Sequence, residues 1–508
     1  MVLLNFKYVL QLPMTKNTKI ILLILLVGIL YRLALTADGN FLFNMDNARD
    51  MVDVREMVVL HKLRLIGPTS AIEGLFNGPF WYYLLAVPFI LSGGNPYASI
   101  IMEIALWAIG GFFLLKLVAR WSKWLILPTG ALWVSSNYIV LTNLYAFNPN
   151  PVTLLSPLFI YLLVEYLQKG KASYIILTFL LAGLFFNFEM NFGIFTPLII
   201  LLSLILTGNS KFFKRKSFWI GASVFVLTLM PQVIFDLKHQ FIMSQAILRH
   251  LSENGGGALN IVKRIHSISE SFLNTFSATL MNHKSLALII LILAIPALLK
   301  KGKDIVVSVS MIFIAVPFLG YLILPVTVNP WHLGGEMAAS LILIGFLLKK
   351  LKFISLILSF LIIWFSLSNI INFFANDFGK TNLDPSLYKN EIAAIDYVYT
   401  KAQGQNFKVY TFMPSVYDYP YQYLFWWYGQ KKYGYTPLEY AYAPNKPPYI
   451  PSQDKFQGIK KNLSGLVFLI KEPNRGYNWK SGWEADYRFM ELLSSEKLGV
   501  IDIEIRRE

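Results

Sequence analysis

The 508-residue sequence contains no cysteine. Disulfides, thiolate metal sites and cysteine nucleophiles are therefore excluded. Charge is scarce as well: 15% of residues are Asp, Glu, Lys or Arg, against 55% hydrophobic, and the mean hydropathy is +0.51. Several apolar runs reach the roughly 20 residues of helix that a bilayer crossing needs. A soluble enzyme is thereby excluded. The first run, Thr18 to Thr36, follows Lys7, Lys16 and Lys19. It is too long for a signal-peptide core and lacks a small-residue cleavage site, so it reads as an uncleaved first span. No internal repeat is evident.

The net charge of +16 is confined to a few places. Eighteen basic residues fall in six short segments: Lys7/Lys16/Lys19, Lys116/Arg120/Lys123, Lys169/Lys171, Lys211/Lys214/Arg215/Lys216, Lys300/Lys301/Lys303 and Lys349/Lys350/Lys352. The only acid among them is Asp304, and the remaining 27 basic and 28 acidic residues nearly cancel. Excess charge in loops between apolar runs is the positive-inside signature, so it reports orientation and not nucleic-acid binding.

Placing all six segments on the cytoplasmic side requires an even number of crossings between any two. Three apolar runs separate Lys19 from Lys116, so one of them does not cross. The weakest is Pro79 to Ser92, fourteen residues with Pro88 inside, which suits an interfacial helix. Parity then gives about eleven spans, near 18–36, 98–119, 124–143, 152–168, 172–188, 192–207, 217–235, 285–299, 304–325, 336–348 and 353–373. The N-terminus is expected inside and the C-terminus outside, in the plasma membrane. The expected fold is a polytopic α-helical membrane module, residues 1–375, followed by an extracytoplasmic α/β domain, residues 376–508. The outer face would hold a first loop (37–97), NLYAFNPNP (143–151), NFEMN (187–191), an amphipathic stretch (236–284) marked by Gly255-Gly256-Gly257, and TVNPWHLGGE (327–336).

In the tail, Glu391–Lys401 and Glu484–Lys497 read as helices. FKVYTFM (407–413), LSGLVFLI (463–470) and GVIDIEIRR (499–507) read as strands. Tyr417 to Tyr442 holds nine tyrosines plus Trp426 and Trp427. Such rings stack on sugars or lie at lipid headgroups, or else form the domain's own core. Asn445 to Pro451, NKPPYIP, reads as an extended linker.

The richest candidate for chemistry is FNMDNARDMVDVRE (43–56), in which six of fourteen residues are charged. As a helix it places Asp46, Arg49, Asp50 and Asp53 on one face. A solvated helix surface explains such a stripe by itself. Its position just after the first span, ahead of an interfacial helix, instead suits a carboxylate acting as general base on an acceptor hydroxyl beside a lipid-linked substrate. Arg49 would hold that carboxylate or bind phosphate.

These features together resemble the GT-C superfamily of membrane glycosyltransferases: the acid after the first span, the Gly/Pro-marked interfacial helix with its P-x-x-x-Y-L-L pattern, and the short polar turn before the second span. The nearest resemblance is to the family-39-like branch, with protein O-mannosyltransferases, aminoarabinose transferases and the RgtA/B/C/D-like group. It covers roughly residues 15–375. It implies a polyprenyl-phosphate sugar donor and transfer, with inversion, to a glycan, lipid or protein acceptor on the extracytoplasmic face among the membrane lipids. The family's first-loop acid aligns with Asp46 as the catalytic residue, and the alignment also fits Asp50. Many relatives carry a second acid before a proline in the next outer loop. Here Asn148-Pro149-Asn150-Pro151 stands in that place, so either the second role is gone or Glu189 has taken it. The expected substrate-binding set is therefore Arg49, Asp50, Asn148, Asn150, Glu189 and His332, the last facing the leaving phosphate. No metal ligands are assigned. The role of a divalent cation as cofactor stays open. Arg249, Lys263 and Arg264 are further phosphate-neutralising candidates. Glu103, inside the second span, is expected to face the protein interior. The competing reading is a transporter or flippase for a lipid-linked envelope precursor. Charge-poor span centres and the lack of two halves count against it.

Overall fold

The computed structural model describes residues 15–255, 261–299, 304–444, 449–458, 463–476 and 478–508. Lys7, Gly256, Gly257, Lys300, Lys301, Lys303 and most of the NKPPYIP stretch lie outside the described residues.

The protein is a polytopic helical membrane protein. Seven described helices are long and apolar enough to cross a bilayer, and a bent pair, 261–279 with 284–294, makes up to eight. Shorter apolar helices, 172–188 and 190–206, join the bundle. Helix α1, Lys16–Thr36, starts where the Thr15 side chain accepts from the Thr18 backbone N–H. It leaves Leu23, Leu26 and Leu30 exposed and buries Ile21, Leu25 and Tyr31.

Two expectations about the spans are corrected here. The run 124–143 is not one helix. It breaks at Ser136 (ψ 123°) into Ile126–Ser135 and Asn137–Leu141. The span centres are also less charge-free than the hydropathy suggests. Arg32 in α1 is fully buried and stacks 3.7 Å over the Trp107 ring. It donates to the Asn143 side chain (2.6 Å) and to the carbonyls of Val134 and Trp133 (3.1 and 3.3 Å). A cation inside an apolar bundle persists only when its donors are met in this way.

Three further helices build the region after α1: α2, Met45–Val59; α3, Phe80–Ser92; and α4, Tyr97–Val118. Asn44 caps α2 by accepting from the N–H groups of Asp46 and Asn47. Helix α3 has 13 residues and ends on Gly93 in the left-handed region (φ +64°), a conformation glycine adopts without penalty. At about 1.5 Å per residue it is roughly 20 Å long, short of a bilayer's hydrocarbon core. The expected 336–348 helix runs Gly334–Lys350, preceded by a turn at Pro330–Leu333. The 236–284 stretch forms helices Ile242–Gly255 and Ile261–Thr279.

The C-terminal part is a mixed α/β domain. Its strands are β1 (Asn406–Phe412), β2 (Glu439–Ala441), β3 (Leu463–Lys471), β4 (Glu491–Leu498) and β5 (Ile501–Arg507), in the order β2-β1-β3-β5-β4. The β1 pairings are parallel, and the β3–β5 and β4–β5 pairings are antiparallel. Phe407 and Val409 pack into the main core, and Tyr410 and Phe412 into a second one with Trp483 and Tyr487, as the two-residue period of a strand requires. The helix expected at 391–401 is Tyr388–Ala402. The helix expected at 484–497 is not formed beyond Ala485, because residues 491–498 are strand β4. Its sequence, ELLSSEKL, has helix-forming residues, but pairing with β5 across the turn at Gly499 (φ +62°) overrides that preference.

The tyrosine-rich segment divides into two sets. Tyr421, Tyr423, Tyr435 and Tyr440 are buried core. Tyr423 Oη donates to the Gly94 carbonyl (2.6 Å) and Trp427 Nε1 to that of Gly93 (2.8 Å), fastening the domain onto the end of α3. Arg55 of α2 lies 4.0 Å from the Phe456 ring and 5.1 Å from Trp426.

Candidate active site

The charged stripe on α2 is not a solvated surface. Asp50 is fully buried, the Arg49 side chain is 15% exposed, and only Asp46 opens outward, at 40%. Arg49 organises the group. Its Nη1 donates to Asp46 Oδ1 (3.1 Å), and its Nη2 and Nε donate to Asp50 Oδ1 (2.9 and 3.1 Å). Behind them Trp81 Nε1, on α3, donates to Asp50 Oδ2 (2.7 Å). The result is a four-residue chain, Trp81–Asp50–Arg49–Asp46. It fixes the outermost carboxylate from a buried indole. Burial pushes the Asp50 carboxyl up to about 6, against the opposing pull of Arg49 and Trp81. Further along α2, Asp53 accepts from Tyr82 Oη (2.9 Å) and Arg64 (2.6 Å). Its carboxyl is also raised by burial. Glu56 accepts from Lys62 and Ser452 and pairs with Arg64.

Asp46 and Arg49 line a cavity of about 420 Å³. Asn148, Glu189, Asn191 and His332 share its walls. Residues 67–78, 147–148, 187–191 and 326–332 thus meet where α2 begins. One close approach permits it. Gly78 N–H donates to the Asn187 carbonyl (3.0 Å), and a Cβ at Gly78 would stand 1.6 Å from Asn187 Oδ1. Glu189 terminates helix 172–188 in extended backbone (φ −145°, ψ 97°). Its Oε1 accepts from the Asn191 backbone N–H (3.1 Å) and from Asn191 Nδ2 (2.8 Å). Asn191 Nδ2 lies 3.3 Å from His332 Nε2, and the His332 Nδ1 side faces the Asn329 backbone N–H at 3.3 Å.

The remaining candidates separate by place. Asn148 lines the cavity while its Nδ2 donates to the Phe188 carbonyl (2.6 Å), so it anchors the 187–191 loop. Asn150 lies off the cavity, donating to the carbonyls of Thr142 (3.0 Å) and Tyr145 (2.8 Å). Asp50 sits behind the wall. Arg264 is committed to the carbonyls of Tyr321, Leu324 and Val326. Arg249 and Lys263 are exposed and line no part of the cavity. Glu103 is fully buried near Asn150 and faces the interior as its position implied. Trp81, Asn191 and Glu336 were missed by sequence reasoning. Trp81 is 31 residues from Asp50 and looks like one more apolar residue of the interfacial helix. Glu336, one turn past His332, is fully buried, and neither carboxylate oxygen has a hydrogen-bond partner among the described residues. Its signal was an acid inside an apolar run. Among the described residues no three His, Cys, Asp or Glu side chains are grouped to hold a metal ion.

Comparison with known proteins adds three findings. Residues 77–235 match the family model described as dolichyl-phosphate-mannose-protein mannosyltransferase. No curated protein matches the sequence. The fold matches ArnT from Cupriavidus metallidurans. For the crystal structure bound to undecaprenyl phosphate the TM-score is 0.61 at 12% identity, covering 96% of this chain and 98% of that one. For the apo state it is 0.64 at 10% identity, covering 97% and 98%. The chain is thus similar to that family model over residues 77–235 and similar to ArnT in fold.

Proposed function

We propose that this protein is a membrane glycosyltransferase that moves a sugar from a polyprenyl-phosphate donor to an acceptor hydroxyl on the extracytoplasmic face of the plasma membrane. The observation that carries the reading is the Asp46 carboxylate. It is partly exposed at a cavity wall and fixed by Arg49, Asp50 and Trp81. The PMT match and the likeness to a protein crystallised with undecaprenyl phosphate support the donor class.

In this reading the acceptor oxygen attacks the anomeric carbon from the face opposite the phosphate. A carbon–oxygen bond to the acceptor forms as the bond to the phosphate oxygen breaks. Asp46 receives the acceptor proton, and the polyprenyl phosphate leaves with the bonding pair. Arg49 stands in the cavity wall and pairs with that carboxylate, and the Glu189–Asn191–His332 group lines the same cavity as the binding wall. Fixed dipoles and charges of this kind act most strongly where water is excluded. Holding both partners at one membrane surface supplies orientation.

Mass spectrometry of envelope glycans and glycolipids from cells with and without the gene tests the class of activity. Loss of one sugar decoration, with its polyprenyl-phosphate donor accumulating, is the expected result. Loss of the decoration with its lipid-linked precursor trapped on the cytoplasmic side would instead support the transporter reading.

A further inference from the structure

Four tyrosines of the C-terminal domain form a cluster at the edge of its cores. Tyr417 lies 5.8 Å from Tyr419, 5.5 Å from Tyr449 and 5.7 Å from Tyr442, measured between ring centroids, and Tyr442 and Tyr449 are 5.2 Å apart. Their neighbours Tyr421 and Tyr423 are fully buried, whereas Tyr417 is 42% exposed and Tyr419, Tyr442 and Tyr449 are partly so. Tyr419 and Tyr449 rest on the main core and Tyr442 on the second, and Tyr417 stands out from them into solvent. Its base is built: buried Asp418 accepts from Tyr449 Oη and from Gln422 Nε2 (3.1 Å), and Tyr449 Oη faces the Tyr442 N–H at 3.3 Å. The Tyr449 ring is held from below by Asp418, and Tyr417 is the most exposed ring of the four.

The cluster adjoins the candidate active site. Helix α5, Tyr419–Leu424, packs on α2, and Tyr419 lies within the electrostatic reach of Asp53 and Arg49. Arg49 is the residue that holds Asp46. At about 1.5 Å per residue along α2, Asp46 and Asp53 are only about 10 Å apart, so Tyr419 approaches the same charged face of α2 whose Asp46 and Arg49 line the cavity.

We propose that Tyr417, Tyr419, Tyr442 and Tyr449 form a saccharide-binding subsite that receives the acceptor, which is therefore a glycan. Sugar rings present C–H faces that stack on phenol rings, and their hydroxyls meet the Tyr edges and the α2 charges. The occupant is a saccharide and not the bilayer surface because the cluster is seated on a buried carboxylate and its Tyr419 lies near the charged Asp53 and Arg49 of α2. The inference deepens the proposed transferase function and rests on it for the word acceptor. The binding site itself does not.

The test uses the full-length chain in nanodiscs against a printed array of defined neutral and amino-sugar oligosaccharides, each presented free and on a lipid anchor. Wild type is expected to bind one structural class, and the preferred presentation reports whether the glycan is lipid-borne. Tyr417→Ala should weaken binding about tenfold, the size of a lost aromatic contact. Tyr417→Trp should restore it, and both variants should keep the wild-type thermal unfolding midpoint. Glycan binding with no transfer to the bound glycan from an added polyprenyl-phosphate sugar would sink the transferase reading and leave the subsite standing. No array binding by wild type, or equal binding by Tyr417→Ala, would overturn the subsite. So would quenching of the cluster by brominated headgroup-region lipid with no response to saccharide, which would place it at the membrane.

Discussion

Replacing Trp81 with phenylalanine removes the indole N–H, with part of a buried ring, and should move the pH at which the protein works. The Trp81 ring packs edge-on to Phe188 at 6.3 Å, and phenylalanine keeps an aromatic ring at that position. What disappears is the 2.7 Å donation to Asp50 Oδ2. A hydrogen bond to a charged group contributes about 1.5–3 kcal/mol, and one pKa unit corresponds to about 1.4 kcal/mol. The bond favours the ionised carboxylate, so its loss should raise the Asp50 pKa by about one to two units. In the wild type burial already holds that group at about 6. Below that pH a neutral Asp50 loosens its hold on Arg49, and Arg49 its hold on Asp46. Activity should therefore fall as pH drops below about 6 in the wild type, and one to two units higher in Trp81→Phe. Stability runs the other way. A carboxyl whose folded pKa is raised from 3.8 to about 6 contributes stability that is fully present below 3.8 and lost as pH rises through about 6. The acid loss of activity is thus not acid unfolding of this group. The assay is a pH–rate profile of donor turnover in nanodiscs, with thermal unfolding recorded at each pH. A folded Trp81→Phe protein with an unshifted acid limb would refute the relay from indole to base.

Three further outcomes follow from the same structure. Gly78→Ala should push the 67–78 segment off the 187–191 loop, because its Cβ would meet Asn187 at 1.6 Å; a loss of about 1–3 kcal/mol is expected from overpacking, read as a lowered unfolding midpoint in detergent. Since the chain has no native cysteine, Ser92→Cys and Ser122→Cys report topology cleanly. An impermeant thiol reagent should label position 92 and not 122 in intact cells, and the reverse pattern would invert the proposed orientation. Arg32→Met should lower the unfolding midpoint, because the Asn143 side chain and the Val134 carbonyl lose a buried donor, at about 1–3 kcal/mol for each group left unpaired; an unchanged midpoint would contradict that role.

What could be read in the sequence and what could not divide along a physical line. Period and spacing exposed whatever is local. The α2 stripe follows from i, i+3 and i+4 arithmetic, and strands β1, β3 and β5 follow from short apolar runs. Proline and length marked α3 as too short to span. Contacts between distant segments left no such trace. Nothing in a window around Trp81 says that its indole meets Asp50, and nothing around Asn148 says that it ties down Phe188. Arg32 was hidden because an apolar average absorbs one charge, although its partners lie about a hundred residues away. Strand β4 was misread because residues with helix propensity were recruited by an antiparallel neighbour, and only that neighbour decides. Ser136 breaks an apolar run that hydropathy cannot distinguish from a straight helix.

The central claim is that Asp46 takes the acceptor proton. It is tested most directly by single-turnover transfer from a defined polyprenyl-phosphate sugar, comparing wild type with Asp46→Asn. The amide keeps the shape and still accepts from Arg49, but it is no longer basic. Transfer should fall by about 10²–10⁴-fold, the usual contribution of a general base, with donor binding nearly unchanged because the group acts in the transition state. Near-normal transfer by Asp46→Asn would contradict the account and move the role to the carboxylate across the cavity, Glu189.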